Sequence, residues 1–430
     1  MRLTIPTSFA IASALGLALM AGSASAETTI SFLHKWPEPQ NMAFFTKAVK
    51  DFEAAYPDIK VDMNAVADEP YKDKIRVLMA SHQVPDVFFS WSGEFGQKFA
   101  RGGRAMDITS AVYDSDWKDR FSPASLGPFQ YNGKQYGVPI NVDAKYMLYN
   151  KKIFADNGIT VPTTFQELLD DCAKLKKAGV TPIAFGNQYP WAAAHYIGDL
   201  FAKLVPDDVR KADYALKTSE ADLYTDLGNV KALDAFKTLN DDGYFNRGSN
   251  ALTHAIARGS FLAGRTAMMY LELVEFVEVK DGTPLAKDGW DFFKLPGFPD
   301  GRGDQNMLTG APDGFMISSE TKHPKEAIEF LKFLTSVKEA QQYVSITGMT
   351  SSVKGAVTDE NAGPMVRKGL EVLNAASGLA LWLDTDMDAR STETLLAGSQ
   401  AIIDGSQTPE QVMQAVRKTA LLVQKEREQQ

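Results

Sequence analysis

Cysteine is almost absent from this chain: Cys172 stands alone among 430 residues. A single thiol excludes an internal disulfide, so the core must hold the fold unaided. Cys172 falls at an apolar position of a helical pattern, which reads as packing; a reactive thiol needs an electropositive, accessible setting. Histidine is scarce as well. The five histidines are scattered, with no H-x-x-x-H spacing and no cysteine cluster. That argues against a metal centre, and no cofactor is expected. Basic residues are not in excess: 45 Lys and Arg stand against 54 Asp and Glu, a formal net charge of −9. The balance argues against nucleic acid and against anionic membrane as partners. Beyond the N-terminal segment no run is apolar and long enough to span a bilayer.

The N-terminal segment has its own signature. Arg2 precedes an apolar stretch from Phe9 to Met20, and small residues end at Ala24-Ser25-Ala26. These are the parts of a secretory signal peptide over residues 1–26, cleaved after Ala26. The stretch is too short for a membrane span, which takes about 20 residues. No cysteine stands directly after the cleavage site, so no lipid anchor is expected and the mature chain is expected free in the periplasm. What remains, roughly 400 residues, suffices for two or three domains.

The first hundred residues of the remainder alternate between two periods. "TTISFLH", "PDIKVDM" and "PDVFFSW" read as strands, and each is followed by a helical pattern. Strand and helix in strict alternation imply a parallel sheet covered on both faces. "GKQYGVPINVDAKYMLYNKKIF" is a proline-interrupted extended stretch followed by a strand. Thr164 and Glu167 form a capping box, as do Thr408 and Gln411. "RTAMMYLE" is a strand ending on a carboxylate, and "GFMISSETKHPKEAIEFLKFLTS" a strand followed by a helix. No internal repeat or low-complexity tract interrupts the pattern. The reading is a two-lobed α/β protein.

In open α/β sheets ligands bind outside the carboxyl ends of the strands. The residues at those ends are His34, Trp36, Glu38 and Asn41; Ser90, Trp91, Ser92 and Glu94; and Asn141 and Asp143. Later in the chain come Trp191 and His195; Tyr270 and Glu272; Asp313 and Gly314; and Trp382, Asp384 and Asp386. Four of the six tryptophans thus stand beside carboxylates or amides. A sugar has an apolar C–H face and a rim of hydroxyls, so its site needs indole faces and hydrogen-bonding acids and amides. Trp36, between Pro37 and Lys35 in "LHKWPEPQN", reads as a stacking platform stiffened by Pro37 and Pro39. Trp117 and Trp290 have no such neighbours and read as structural.

On these residues the chain resembles the solute-binding proteins of ABC importers, in the carbohydrate-binding group related to maltose-binding protein. The similar stretches are "PDVFFSWSGEFGQKFARGGRAMDIT", "YGVPINVDAKYMLYNKKIFADNGITVPTTFQELLDDCAKLKKAGVTPIAFG", "FLAGRTAMMYLE" and "KHPKEAIEFLKFLTSVKEAQQYVSITGMTSS". They occur in the family's order and run nearly end to end. The resemblance implies a type II periplasmic-binding-protein fold, two α/β lobes joined by crossover segments with the ligand cleft between them. It places residues 27–139 with 312–348 in the N-terminal lobe and 140–311 with 349–430 in the C-terminal lobe. It also implies a receptor without enzymatic activity, usually a monomer, that captures a carbohydrate and delivers it to a membrane permease. The family's contact positions map onto Trp36, Trp91, Ser92, Asp143, Trp191, Glu272, Trp382 and Asp384. With His34, Asn41 and Gly314 from the strand-end reading, these are the expected ligand-binding residues.

Two other readings stay open at this point. An exported glycoside hydrolase would set two carboxylates, such as Glu272 and Asp384, about 5–10 Å apart across a scissile bond. A receptor for another polar solute (a polyol, a glycosyl glycerol, an acidic or sulfonated sugar) would want a cation in the cleft. His34, Lys35, His195 and Arg390 are the candidates for that role.

Overall fold

The computed structural model describes residues 27–429; the expected signal peptide lies outside them. The strands in chain order are β1 (Thr28–His34), β2 (Ile59–Ala65), β3 (Val87–Trp91) and a small hairpin of β4 (Gln130–Tyr131) and β5 (Lys134–Gln135). They continue with β6 (Gly137–Asn150), β7 (Thr181–Ala184), β8 (Thr266–Glu272), β9 (Trp290–Phe293), β10 (Leu308–Ile317) and β11 (Leu379–Ala380). Helices fill the connections, and among the described residues none is long and apolar enough to cross a membrane.

β2, β1 and β3 are mutually parallel, as the alternating periods imply. β10, outside that alternating stretch, lies antiparallel to both β3 and β6. The reason is the return of the chain: β10 comes back from the second half of the molecule along the edge that β3 leaves open. β6 and β10 are long enough to serve both halves. β6 pairs with β10 through Gly137–Ala144 and with β8 through Lys145–Tyr149. All ten residues of β10 are buried. Its neighbours tolerate little bulk: a Cβ on Gly310 would lie 2.2 Å from the Asp143 carbonyl oxygen. Proline is unusual in a central strand. Here Pro312 lies beside the register shift between Asp313 and Gly314, and Pro139 faces Gly314 across it.

Two apolar cores flank this crossing. The first gathers Phe32, Phe45, Phe89, Phe315 and Phe330 around β1–β3. Phe32 is its hub, meeting Phe45, Phe315 and Phe330 edge-on at 5.8, 5.1 and 5.1 Å. The second covers β6–β8 on both faces, with Leu168, Cys172, Phe185, Leu200 and Phe236 on one side and Tyr146, Leu271 and Leu285 on the other. Cys172 is buried there, which pushes its thiol above the usual range. Trp117 is fully buried in the first core, its indole N–H donating to Thr335 Oγ1 at 2.8 Å. Trp290 packs edge-on against Phe276 at 5.4 Å.

Both expected capping boxes are present, at Thr164–Glu167 and Thr408–Gln411. Val353, Ala356 and Ala362 pack in the first core, and Val366 is the next core residue on the second side. The segment is held there by hydrogen bonds to β6. Ser351 Oγ and the Ser352 N–H both donate to the Ile140 carbonyl, at 3.0 and 3.1 Å.

Candidate functional site

A cavity of about 480 Å³ opens where β6 and β10 pass between the cores. Trp36, Asn41, Trp91, Asp143, Trp191, Glu272, Trp382 and Asp384 all line it. These eight come from distant parts of the chain, and the crossing strands bring them together. The first core supplies Trp36 and Asn41 after β1, and Trp91 at the end of β3. The second supplies Trp191 from the start of the helix Trp191–Leu204, and Glu272 at the end of β8.

Three expected residues are not brought to the cavity. His34 is buried beneath Trp36: its ring stacks on Phe45 at 4.2 Å, and its Nδ1 accepts the Trp36 N–H at 3.3 Å. Burial there lowers its pKa to about 4, so it is a neutral prop. Ser92 is fully buried outside the cavity lining. Gly314 sits within β10, where a Cβ would meet the Val138 carbonyl oxygen at 2.2 Å; its absent side chain serves strand packing. Arg390 pairs with Glu426 on the surface and takes no part in the cavity.

Trp36 departs from the free platform expected of it. The ring is 7% exposed, lies 17° from parallel with Phe45 at 5.8 Å, and meets Phe89 edge-on at 4.9 Å. Pro39 is explained by the helix it opens, Pro39–Ala55, where a proline in the first turn loses no hydrogen bond. That helix carries Phe45 back under the indole. What Trp36 presents to the cavity is therefore a ring backed by the first core.

The polar lining is dense. His195 lies between two carboxylates, Nδ1 at 3.5 Å from Glu272 and Nε2 at 3.5 Å from Asp384. Burial lowers the His195 pKa, so the ring is neutral and has one N–H for two acids. Burial disfavours ionised Asp384, but the His195 side chain and the Lys72 ammonium outweigh it and hold its pKa down. Asp143 is pushed the other way, well above the carboxylate range, by burial and by nearby Glu272. Its Oδ1 accepts the N–H groups of Ala144 and Val274 at 2.8 and 3.3 Å.

Lys35, one of the candidate cations, lies in the lining beside residues the sequence reading did not name, Asp68, Glu69, Lys72 and Glu275. Lys35 bridges Asp68 and Asp313, each at 3.2 Å, with its ammonium 4.6 Å from the Trp91 ring centre. Burial opposes its charge, but Asp313, Asp68 and Glu272 outweigh burial and keep it protonated. Burial in turn pushes Asp313 up to about 6 despite that partner. Lys72 lies 5.4 Å from the same indole and pairs with Glu69. Opposite them Glu275 receives His254 at 2.9 Å and Arg258 at 2.5 Å, and its pKa falls well below the usual range although it is buried. Asp68 and Glu69 follow β2, so the strand-end rule would have found them; they read instead as the opening of the helix Asp68–Ala80.

Three buried acceptors on this lining have no hydrogen-bond partner among the described residues: Asn41 Oδ1, Asp313 Oδ1 and Asp384 Oδ1. A buried acceptor left unpaired costs about 1–3 kcal/mol. Together with four indoles they define a site for a molecule with apolar faces and several hydrogen-bond donors. Among the described residues no group of three or more His, Cys, Asp and Glu side chains has metal-binding geometry.

This is the architecture of a two-lobed solute receptor, and the chain belongs to the family described as bacterial extracellular solute-binding protein, which residues 36–341 match. It is similar to the multiple sugar-binding protein of Streptococcus mutans serotype c, 27% identical over 341 residues, 78% of each chain. A solved chitin oligosaccharide binding protein superposes with a TM-score of 0.83 at 24% identity, covering 93% of this chain and 98% of that one. The solute-binding protein RafE in complex with raffinose gives 0.74 at 20% identity, covering 91% and 98%. These structural likenesses establish the fold, the type II periplasmic-binding arrangement.

Proposed function

We propose that the protein is the periplasmic sugar receptor of an ABC importer, taking a mono- or oligosaccharide between its lobes and presenting it to a membrane permease. One observation carries this reading: four tryptophans from both lobes surround one 480 Å³ cavity whose buried acceptors lack partners. Pockets of roughly 300–1,000 Å³ suit small ligands. Indole faces match the C–H face of a pyranose, and the acceptors match its hydroxyls. The sugar-binding names of the relatives support the same ligand class. The eight lining residues that the sequence singled out are the proposed contacts.

The lobes meet through β6, β10 and the segment near residue 362, so closure is a hinge motion about those crossings. Ligand bound to both walls favours the closed form by its differential affinity for it. Lys35, buried against Asp68 and Asp313, is locked in pairs within one wall, which leaves it poorly placed to receive an acidic or sulfonated sugar.

The test is tryptophan fluorescence and thermal unfolding of the protein after unfolding and refolding, with neutral and charged sugars and polyols added in turn. A sugar at 100 times its dissociation constant adds ~2.7 kcal/mol to the folded state and raises the midpoint. A rise confined to one stereochemical series supports the receptor reading. A flat response across sugars and polyols overturns it.

A further inference from the structure

Nine carboxyl side chains line the cavity: Glu38, Asp68, Glu69, Asp143, Glu272, Glu275, Glu278, Asp313 and Asp384. Three Lys or Arg side chains answer them, Lys35, Lys72 and Arg258. Lys145, behind the lining at 3.5 Å from Glu272 and 3.8 Å from Glu275, adds a fourth. The acids remain well ahead even with Asp143 counted as neutral. The cations are also already committed: Lys35 to Asp68 and Asp313, Lys72 to Glu69, Arg258 to Glu275.

One corner of the lining holds an acid with an unpaired oxygen. Asp384 has a side chain only 8% exposed, and its Oδ1 accepts no hydrogen bond among the described residues. Its neighbour His195 is equally buried and has to satisfy Glu272 as well. With one N–H between two carboxylates, one acid faces a ring lone pair, and that contact lacks a proton donor. Around this corner the Trp382 ring lies 4.2 Å and the Trp191 ring 5.2 Å from the imidazole. Glu272 already receives Lys145 and the Glu275 N–H, so Asp384 is the acid short of a donor, and walled by indoles in a buried site it favours a compact cation over a neutral hydroxyl. The attraction grows as water leaves, and indole faces add to it.

We infer that the preferred ligand is an amino sugar, with its protonated primary amine held by Asp384 beside His195. This inference rests on the sugar-receptor reading above and narrows it to a charge class. An ammonium supplies three donors where a hydroxyl supplies one. A uronic or sulfonated sugar would add negative charge to a lining already in surplus.

Calorimetric titration of the refolded protein with matched sets tests the inference: a hexosamine, its N-acetyl form, the parent hexose and the hexuronate, each as monosaccharide and disaccharide. The amine is expected to bind at least about tenfold more tightly than its neutral analogues, the margin by which charged hydrogen bonds exceed neutral ones. The hexuronate should give no heat. Asp384→Asn, checked for folding by circular dichroism, should erase the preference, so that the amine and the parent sugar bind this variant with equal affinity. Equal or tighter binding of a neutral or acidic analogue overturns the amine assignment and leaves the receptor reading intact. Silence from every member of every set overturns both.

Discussion

The imidazole of His195 lies nearly flat on the indole of Trp382, ring centres 4.2 Å apart and planes 21° from parallel. One face of Trp382 is therefore covered by the protein itself, and only what remains can meet a ligand. His195 orients this indole while its two nitrogens face Glu272 and Asp384. The helix Trp191–Leu204 carries it, and that helix is buried along nearly its whole length. A stacking surface and two carboxylates are thus referred to one rigid element.

His195→Ala should release Trp382 and both acids together. Affinity for the sugar is expected to fall at least about tenfold, the range of a buried anchor residue at an interface centre. Tryptophan emission should shift to the red as water reaches the indole. Unchanged affinity with unchanged emission would separate His195 from the site.

Trp191 is tested independently, because its ring packs on the other side of His195 and against His254 at 4.7 Å. Trp191→Ala should weaken binding at least about tenfold with the fold retained. The measurement is a titration alongside thermal unfolding. A large loss of stability with full affinity would assign Trp191 to packing alone.

How far these positions were legible in the sequence depends on which force set them. The strands and the two capping boxes follow from local patterns, and β3, with every residue buried, reads as the apolar run it is. The strand-end rule gave the neighbourhood of the cavity but not the face. Ser92 comes one residue after Trp91, and along an extended chain neighbours point to opposite sides. Period-two reasoning would have set it aside. His34 was beyond such reasoning, because its partner Phe45 belongs to a helix that folds back over β1. The same ring turned Trp36 from a free platform into a backed one. Lys145 is invisible locally: a lysine in an apolar strand reads as exposed, yet it is buried against Glu272 and Glu275.

Asp386 allows a prediction about pH. It lies in the short helix Leu383–Asp386, just after the Asp384 corner, and burial pushes its pKa up to about 6 despite nearby Arg210. The unfolded chain titrates at the ordinary value of 3.8. Between those values the folded state holds the extra proton, so acidification through pH 6 favours folding by this group, and above pH 6 the full penalty applies. Asp386→Asn should therefore stabilise the protein by about 1–2 kcal/mol at pH 7.5, with the gain vanishing toward pH 4. Chemical unfolding of both proteins at several pH values measures this. A gain independent of pH, or a loss at pH 7.5, would contradict it.

Arg427 provides the last test, and it concerns closure. In the last turn of the C-terminal helix it reaches Glu94 Oε1 at 2.8 Å and Asp388 Oδ2 at 3.1 Å. Glu94 opens the helix after β3 in the first lobe, whereas Asp388 caps the helix Ala389–Asp404 in the second. Arg427 thus ties the lobes together at a place outside the cavity lining. Such a partly exposed pair contributes about 0.2–1 kcal/mol, and only when the lobes are together. Arg427→Gln should then weaken sugar binding about two- to fivefold, mainly through faster release, with the contacts to the sugar untouched. Scattering should show a larger radius for the ligand-free variant, converging on that of the wild type at saturation. Raising salt should shrink the difference between the two proteins, since the wild-type pair is itself screened. If the variant instead binds as tightly as the wild type at low salt, the Arg427 pair contributes nothing to closure and the hinge is governed by β6 and β10 alone.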